Sequence, residues 1–229
     1  MPLIYVVFHD DQSQKIAQQH FSQYSWARLI RIPSTKYCES FLFTLLDGLS
    51  HSWDTSNYVG IIAYSLPQKI GMKPLLKAIE DISLNQVHEN IIVLNPGRSI
   101  INTHPGIKYP LKLIMNRIGF DKMNLNNVSG FFNNYWIAQP SFMKAYIKFF
   151  LEVKQIMDHD HIISLALTQN SYYPKNRSKS QLTLMRTFGT PYYTWHPFVC
   201  ERLICIFSCL SCASIKRYYN SSSHRLLTY

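Results

Sequence analysis

The sequence is poor in charged residues, and acidic residues are especially scarce. Charged residues make up 16% of the 229 residues and hydrophobic residues 47%, a balance that excludes an intrinsically disordered chain. The 13 acidic residues face 23 Lys and Arg, which gives a formal net charge of +10. That charge favours anionic partners, namely phosphate groups, anionic lipid or nucleic acid. The basic residues are scattered without a run of five, so no arm that tracks a nucleic-acid backbone is visible.

Long apolar runs and targeting signals are also missing. The longest apolar run, residues 203–215, is shorter than the ~20 residues that cross a bilayer. The first residues lack a basic stretch followed by an apolar one, so we expect no secretory signal. Five cysteines, an odd number, then favour a reducing compartment. We expect a cytoplasmic protein whose apolar run packs on the domain or lies at a membrane surface as a peripheral contact.

Apolar runs and amphipathic stretches alternate along the first half of the chain. The predicted strands there cover residues 3–8, 58–64 and 91–94. The predicted helices cover residues 12–24, 37–49 and 73–84. This alternation predicts an α/β fold with a mostly parallel, mixed sheet flanked by helices. In the second helix, a buried stripe is predicted by Tyr37, Phe41, Leu45 and Leu49, which recur every four residues, with Leu42 and Leu46 beside them.

The second half of the chain has a weaker pattern. It contains a loop over 95–109, a helix over 111–118, a strand over 131–137, a long helix over 141–158 and a last helix from Val199. No linker or repeat divides the chain. We therefore predict one domain over residues 1–207 and a C-terminal tail over 208–229.

Polar residues follow the predicted strands. His9 and Asp10 come after the first strand, Tyr64 and Ser65 end the second, and Arg98 follows the third. In open α/β sheets, ligands bind beyond the carboxyl ends of the strands. We therefore expect these residues at the ligand-binding edge.

Several segments resemble known glycosyltransferase-like proteins. Tyr37-Cys38-Glu39-Ser40, then Trp53, then residues 58–65 resemble the core of bacterial capsule-type glycosyltransferase-like domains. Residues 133–140, the following helix and residues 193–203 resemble related proteins of algal viruses and microbial eukaryotes. The resemblance touches most of residues 3–207. It implies a GT-A-like fold and a nucleotide-sugar donor.

One element of that family pattern is absent. Most GT-A enzymes hold a divalent metal through an Asp-x-Asp pair after the strand that here ends in Ala63-Tyr64-Ser65, which supplies no carboxylate. We therefore expect no metal cofactor, and cationic or donor side chains on the diphosphate instead. Lys69 is the first candidate, although it is equally well an ordinary solvated lysine. The predicted donor-binding residues are His9, Asp10, Lys36, Tyr64, Ser65, Lys69 and Arg98.

His196 and Glu201 are the candidate acid/base residues. An inverting transferase needs one base to deprotonate the acceptor hydroxyl, and an imidazole or a carboxylate provides it. Glu201 has two alternative roles, an ion pair with Arg202 or a helix cap. The candidate acceptor-binding residues are Asn134, Tyr135 and Trp136. A position in the core explains Trp136 equally well.

Two further motifs have more ordinary interpretations. Asp158-His159-Asp160 matches a metal-binding pair, but it ends a predicted helix, where a polar terminus is the simpler explanation. Cys205, Cys209 and Cys212 have the spacing of a cluster-binding motif, but their apolar context favours buried helical cysteines.

The sequence thus predicts a glycosyltransferase that moves a sugar from a nucleotide sugar to a glycan or protein acceptor. The alternatives are a non-catalytic sugar- or nucleotide-binding relative of the same fold and a basic nucleic-acid-binding module, which only the net charge favours.

Overall fold

The computed structural model describes residues 1–35, 37–95, 98–101, 104–131, 134–173 and 180–218. The strands are β1 (Leu3–Phe8), β2 (Ala27–Arg31), β3 (Val59–Ala63), β4 (Ile91–Val93), β5 (Arg98–Ser99), β6 (Ser129–Gly130), β7 (Tyr135–Ala138) and β8 (Ile215–Arg217). The helices are α1 (Asp11–Phe21), α2 (Cys38–Leu49), α3 (Leu66–Lys69), α4 (Lys73–Ser83), α5 (Lys108–Arg117), α6 (Pro140–His159), α7 (His161–Thr168), α8 (Gln181–Phe188) and α9 (Trp195–Leu210).

Six of the strands in the described part of the chain form one mixed sheet, in the order β2-β1-β3-β7-β4-β8. β1 pairs in parallel with β2 and β3, and β4 pairs in parallel with β8. β7 lies antiparallel between β3 and β4, with Ile61 opposite Trp136. β5 and β6 form a separate short antiparallel pair. The predicted α/β fold with a mostly parallel sheet is therefore confirmed.

Apolar cores cover both faces of the sheet. In β1, Ile4 and Val6 belong to one buried cluster, while Tyr5 and Val7 belong to the other. A strand that is buried on both faces has a continuous run of apolar residues. β1 could therefore be predicted from such a run in the sequence. Gly60 in β3 lets the flanking strands pack closely, since an added Cβ would lie 2.7 Å from the Ile4 side chain.

Two sequence predictions need correction here. β2 was not predicted, because its apolar residues are interrupted by arginines and the strand lies at the end of the sheet. The buried stripe predicted for α2 is confirmed at Leu42 and Leu46 but is wrong at Tyr37 and Phe41, which are exposed. The buried face contains Leu42, Phe43 and Leu46, while Leu45 and Leu49 are half-buried.

The domain extends beyond the predicted boundary at residue 207. α9 begins at Trp195, before the predicted start, and continues to Leu210, with much of the apolar run packed in the core. β8 then adds a strand beside β4, and Tyr218 donates a hydrogen bond to Asp81 in α4. The predicted tail is therefore folded at least through residue 218, because its backbone completes the sheet. Residues 219–229 lie outside the described residues.

None of the helices in these described ranges is both long enough and apolar enough to cross a membrane.

Candidate functional site

Polar side chains from three strands meet at one edge of the sheet, which we call the strand-end edge. The rings of His9 and Tyr64 lie edge to face, with their centroids 6.4 Å apart. The hydroxyl groups of Ser65 and Tyr135 are 3.3 Å apart. Because β7 runs antiparallel, its first residue, Tyr135, lies beside the last residues of β3. The structure thus brings together four residues that the sequence assigned to two separate subsites.

Asp10 at this edge stabilises the fold. It is the N-cap of α1, and its carboxylate accepts a hydrogen bond from the Ser13 backbone at 2.7 Å and from the Ser13 hydroxyl at 2.6 Å. Asp11 forms an exposed ion pair with Arg31 at 3.3 Å. The capping box accounts for an acidic residue directly after β1 without reference to a ligand.

Lys69 connects the strand-end edge to a second group of residues. It ends α3, the short helix that begins directly after Ser65, and its side chain is exposed. Burial raises the pKa of the Glu201 carboxyl, and the positive charges of Arg202 and then of Lys69 oppose that rise. The residue predicted to bind the diphosphate therefore lies close enough to the residue predicted to act as the base for their charges to interact, although they are far apart in the chain.

Glu39, at the start of α2, is a site residue that the sequence analysis did not single out. It is only 7% exposed, and the Cys38 thiol donates a hydrogen bond to its Oε2 atom at 2.8 Å. Burial, followed by the negative charge of Glu201, raises the pKa of Glu39 to about 7. The Tyr-Cys-Glu segment of the family resemblance marked this position, but nothing local to α2 indicates a second carboxyl beside it.

Glu201 lies in the second turn of α9, so the helix-cap alternative is excluded. Burial raises the pKa of its carboxyl, while the positive charges of Arg202 and Lys69 oppose that change. Its contact with Arg202 is long, at 3.8 Å. The Arg202 guanidinium instead donates to the backbone oxygens of Ile100, at 2.8 Å, and Phe198, at 2.6 Å. The ion-pair alternative is therefore a weak contact, and the Glu201 side chain keeps 23% of its surface exposed.

His196 is buried near the start of α9 and projects from a different face of the helix than Glu201. Its ring lies edge to face with Tyr37 at 4.8 Å, and its Nδ1 atom is 3.7 Å from the Cys200 sulfur. Burial raises the pKa of the Cys200 thiol well above its usual value. The two candidate acid/base residues therefore belong to adjacent but distinct surroundings.

The predicted acceptor residues are mostly buried. Trp136 is 1% exposed and packs edge to face against Tyr146 at 5.6 Å. Tyr135 is also buried. Asn134 precedes β7 with a φ of 51°, in the left-handed region. The core alternative for Trp136 is the one the structure supports, because no face of its ring is open to an acceptor.

The remaining candidates are placed as follows. Lys36 lies outside the described residues, and Arg98 lies in β5 opposite Gly130. Asp158 forms an ion pair with Lys154, and Asp160 caps α7 and contacts Arg117. Both aspartates therefore have structural partners at a helix junction.

The C-terminal cysteines do not share one environment. The Cys205 sulfur is buried and accepts a hydrogen bond from the Phe131 backbone at 3.2 Å, whereas Cys209 and Cys212 are exposed. Within the ranges that the structure describes, no three His, Cys, Asp or Glu side chains are grouped so that they could hold a metal ion.

Comparison with known proteins identifies the fold. No family model matches the chain, and no curated protein matches it. A solved structure described as the apo structure of the WbbM bifunctional glycosyltransferase is similar, with a TM-score of 0.53 at 10% sequence identity. The match covers 95% of this chain and 44% of that chain, so this chain spans less than half of that protein's length. At this identity the likeness shows the fold alone, and it confirms the predicted glycosyltransferase-like architecture.

Proposed function

We propose that this protein is a glycosyltransferase that moves a sugar from a nucleotide sugar to a glycan or protein acceptor without an Asp-x-Asp metal site. One observation carries the proposal on this fold. The partly exposed carboxyl of Glu201 is near enough to the exposed cation of Lys69 and to the buried carboxyl of Glu39 for their charges to interact. Titratable groups with displaced pKa values beside an open cation are characteristic of catalytic sites.

The donor diphosphate is placed at the strand-end edge. α3 begins directly after Tyr64 and Ser65 and ends at the exposed Lys69. One short segment therefore contains an ammonium group and two hydroxyl groups. A charge-assisted hydrogen bond from Lys69 to a phosphate oxygen would offset the negative charge of the leaving group. In this proposal Lys69 takes the role that a metal ion has in most GT-A enzymes.

Glu201 is the proposed general base. Its carboxylate takes the proton of the acceptor hydroxyl while the acceptor oxygen bonds to the anomeric carbon of the donor sugar. The bond from that carbon to the phosphate oxygen breaks, and the electron pair leaves with the nucleoside diphosphate. Burial raises the pKa of Glu201, while the positive charges of Arg202 and Lys69 favour its ionised form, which is the form that accepts the proton.

A ligand screen followed by an activity assay tests the proposal. We expect uridine or guanosine diphosphate to raise the melting temperature, because a ligand that binds only the folded state stabilises it, and we expect the same shift in EDTA. Transfer or hydrolysis of a matching nucleotide sugar should follow. A strict requirement for Mn²⁺ or Mg²⁺ would contradict the assignment of Lys69, and the absence of any shift would contradict the function.

A non-catalytic sugar- or nucleotide-binding protein is the second candidate. The carboxylate-free segment Ala63-Tyr64-Ser65 favours it, because metal-binding carboxylates are absent there. This candidate predicts a thermal shift with a nucleoside diphosphate but no turnover of any nucleotide sugar in the panel. The two measurements together separate the candidates.

A further inference from the structure

A small cleft lies next to the candidate site, where the ends of α6 and α7 meet the start of α9. Its volume is about 30 Å³, and its polar lining comes from Tyr37, Asp158, Ser164, Thr168, Thr194 and His196. A space of this size admits one hydroxyl group or water molecule but not a whole sugar ring. Tyr37 lies at the start of α2, which carries Glu39, and His196 belongs to α9, which carries Glu201, so the cleft and the carboxyl pair involve the same two helices.

Thr194 supplies the second observation. It is the N-cap of α9 and only 2% exposed, yet its side chain makes no capping hydrogen bond. Its Oγ1 atom has no hydrogen-bond partner among the described residues. Burying a hydroxyl group without a partner is unfavourable, and such groups are rare in folded proteins. Thr194 lines the cleft, and its hydroxyl group is a donor and acceptor that no described residue uses.

The other lining groups indicate the chemistry of the ligand. Tyr37 is 45% exposed, and its ring is fixed by the edge-to-face contact with His196. Asp158 contributes a carboxylate, of which one oxygen contacts Lys154. A carboxylate has about four lone-pair sites, so Asp158 can still accept hydrogen bonds from hydroxyl groups.

These groups favour a neutral, hydroxylated ligand over an anion. The start of α9 alone would attract an anion, but the Asp158 carboxylate in the same lining repels one. A sugar has an apolar face and a rim of hydroxyl groups. An amphipathic aromatic ring can pack on the face, and hydroxyl and carboxylate groups can form hydrogen bonds with the rim.

We propose that this cleft is the acceptor subsite and that it binds a hexopyranose unit of a glycan. One sugar hydroxyl enters the cleft and bonds to Thr194 and Asp158, while the sugar face packs on the exposed ring of Tyr37. The assignment to an acceptor rests on the proposed function. It moves the acceptor away from the buried Trp136 and to the start of α9, the helix that carries Glu201.

The test uses methyl glycosides of glucose, galactose and mannose, observed by saturation-transfer NMR with and without uridine diphosphate. We expect at least one glycoside to bind the full chain. Thr194→Val keeps the shape of the side chain and removes the hydroxyl, so binding should weaken by about 5- to 10-fold. The melting temperature of Thr194→Val should stay equal or rise, because an unpartnered buried hydroxyl is removed and no cap is lost.

Tyr37→Ala and Tyr109→Ala form a matched pair, since both tyrosines are exposed and only Tyr37 lines the cleft. Tyr37→Ala should weaken binding, whereas Tyr109→Ala should leave it unchanged. Asp158→Asn should also weaken binding, because the amide has one acceptor oxygen where the carboxylate has two.

The subsite is overturned if no glycoside binds in either condition or if Thr194→Val binds as the wild type does. It is also overturned if Thr194→Val lowers the melting temperature, which would show that the hydroxyl supports the fold. Glycoside binding without any nucleoside-diphosphate binding would leave the subsite in place and remove the proposed transferase function. Nucleoside-diphosphate binding without glycoside binding would support the donor site and contradict the subsite.

Discussion

Polar groups have different surroundings at the strand-end edge and at the seam, the region where Glu39 of α2 and Glu201 of α9 influence each other. At the edge, Asp10 caps α1, and the hydroxyl groups of Ser65 and Tyr135 are neighbours. At the seam, Glu39 is buried and the charge of nearby Glu201 opposes its ionisation. The difference shows that proximity to a strand end does not by itself mark a functional group. A buried group whose charged form is destabilised is stronger evidence of function.

The largest expected effect comes from removing the proposed base in the seam. Glu201→Gln keeps the size and much of the hydrogen bonding of the side chain but cannot accept the acceptor proton. Transfer should fall by about 10²- to 10⁴-fold while the affinity for the nucleoside diphosphate barely changes. Steady-state kinetics and isothermal titration on the same preparation measure the two quantities.

Glu152→Gln is the matched control, because Glu152 is an exposed glutamate of α6 outside the seam. It should leave transfer unchanged. Near-normal transfer by Glu201→Gln would place the base elsewhere, and His196→Asn would then test the remaining candidate in the same assay.

The second effect is a pH dependence of stability that originates from Glu39. Its pKa is about 7 in the folded state, against 4.5 for an unperturbed glutamate. The folded protein therefore binds this proton more tightly than the unfolded chain does. The stabilisation is fully present below about pH 4.5 and is lost as the pH rises through about 7. The free energy of unfolding should lose on the order of 3 kcal/mol across that range from this group.

His104 changes stability in the opposite sense over an overlapping range. Burial, and then the charge of Arg202, lowers its pKa to about 4, so its contribution is present above the usual 6.5 and is lost as the pH falls toward 4. The comparison of wild type with Glu39→Gln isolates the glutamate. Urea unfolding of both proteins between about pH 4.5 and 8 should show a smaller loss in the variant. Parallel curves would mean that Glu39 ionises normally and that the seam is an ordinary packed interface.

The third effect concerns the residue that joins the two regions. Lys69→Met should weaken nucleoside-diphosphate binding by about 10-fold, because one charge-assisted hydrogen bond to phosphate is lost. Lys73→Met removes another exposed lysine nearby in sequence and should change little. Equal nucleoside-diphosphate affinities for the two variants would mean that Lys69 is an ordinary solvated lysine.

The sequence predicted the first half of the fold better than the second, for a physical reason. β1, β3 and β4 are short apolar runs buried on both faces, and their pattern is visible without knowledge of their partners. β8 is only partly buried and pairs at the end of the sheet, so its short segment was assigned to the tail. The antiparallel direction of β7 depends on a long-range pairing that no local pattern reveals.

The candidate site was predictable only in part for the same reason. Glu201 and Lys69 were identified from residue type and position, and the structure brings them near each other. Glu39 was missed as a functional candidate because its displaced pKa comes from burial and from a residue on another helix. Trp136 was proposed from its aromatic character, but its exposure depends on how α6 packs over β7.

The smallest expected effect tests whether the strand-end edge is structural at Asp10. Asp10→Ala removes the cap of α1 and should lower the free energy of unfolding by about 1 kcal/mol. Asp10→Asn retains an oxygen that can accept from the Ser13 backbone, so it should keep most of the stability. If the cap is the whole role of Asp10, Asp10→Asn will also bind nucleoside diphosphate with unchanged affinity. A variant with full stability but weakened binding would instead assign the carboxylate to the donor site, as the sequence predicted. Chemical unfolding and titration calorimetry on the two variants distinguish these outcomes.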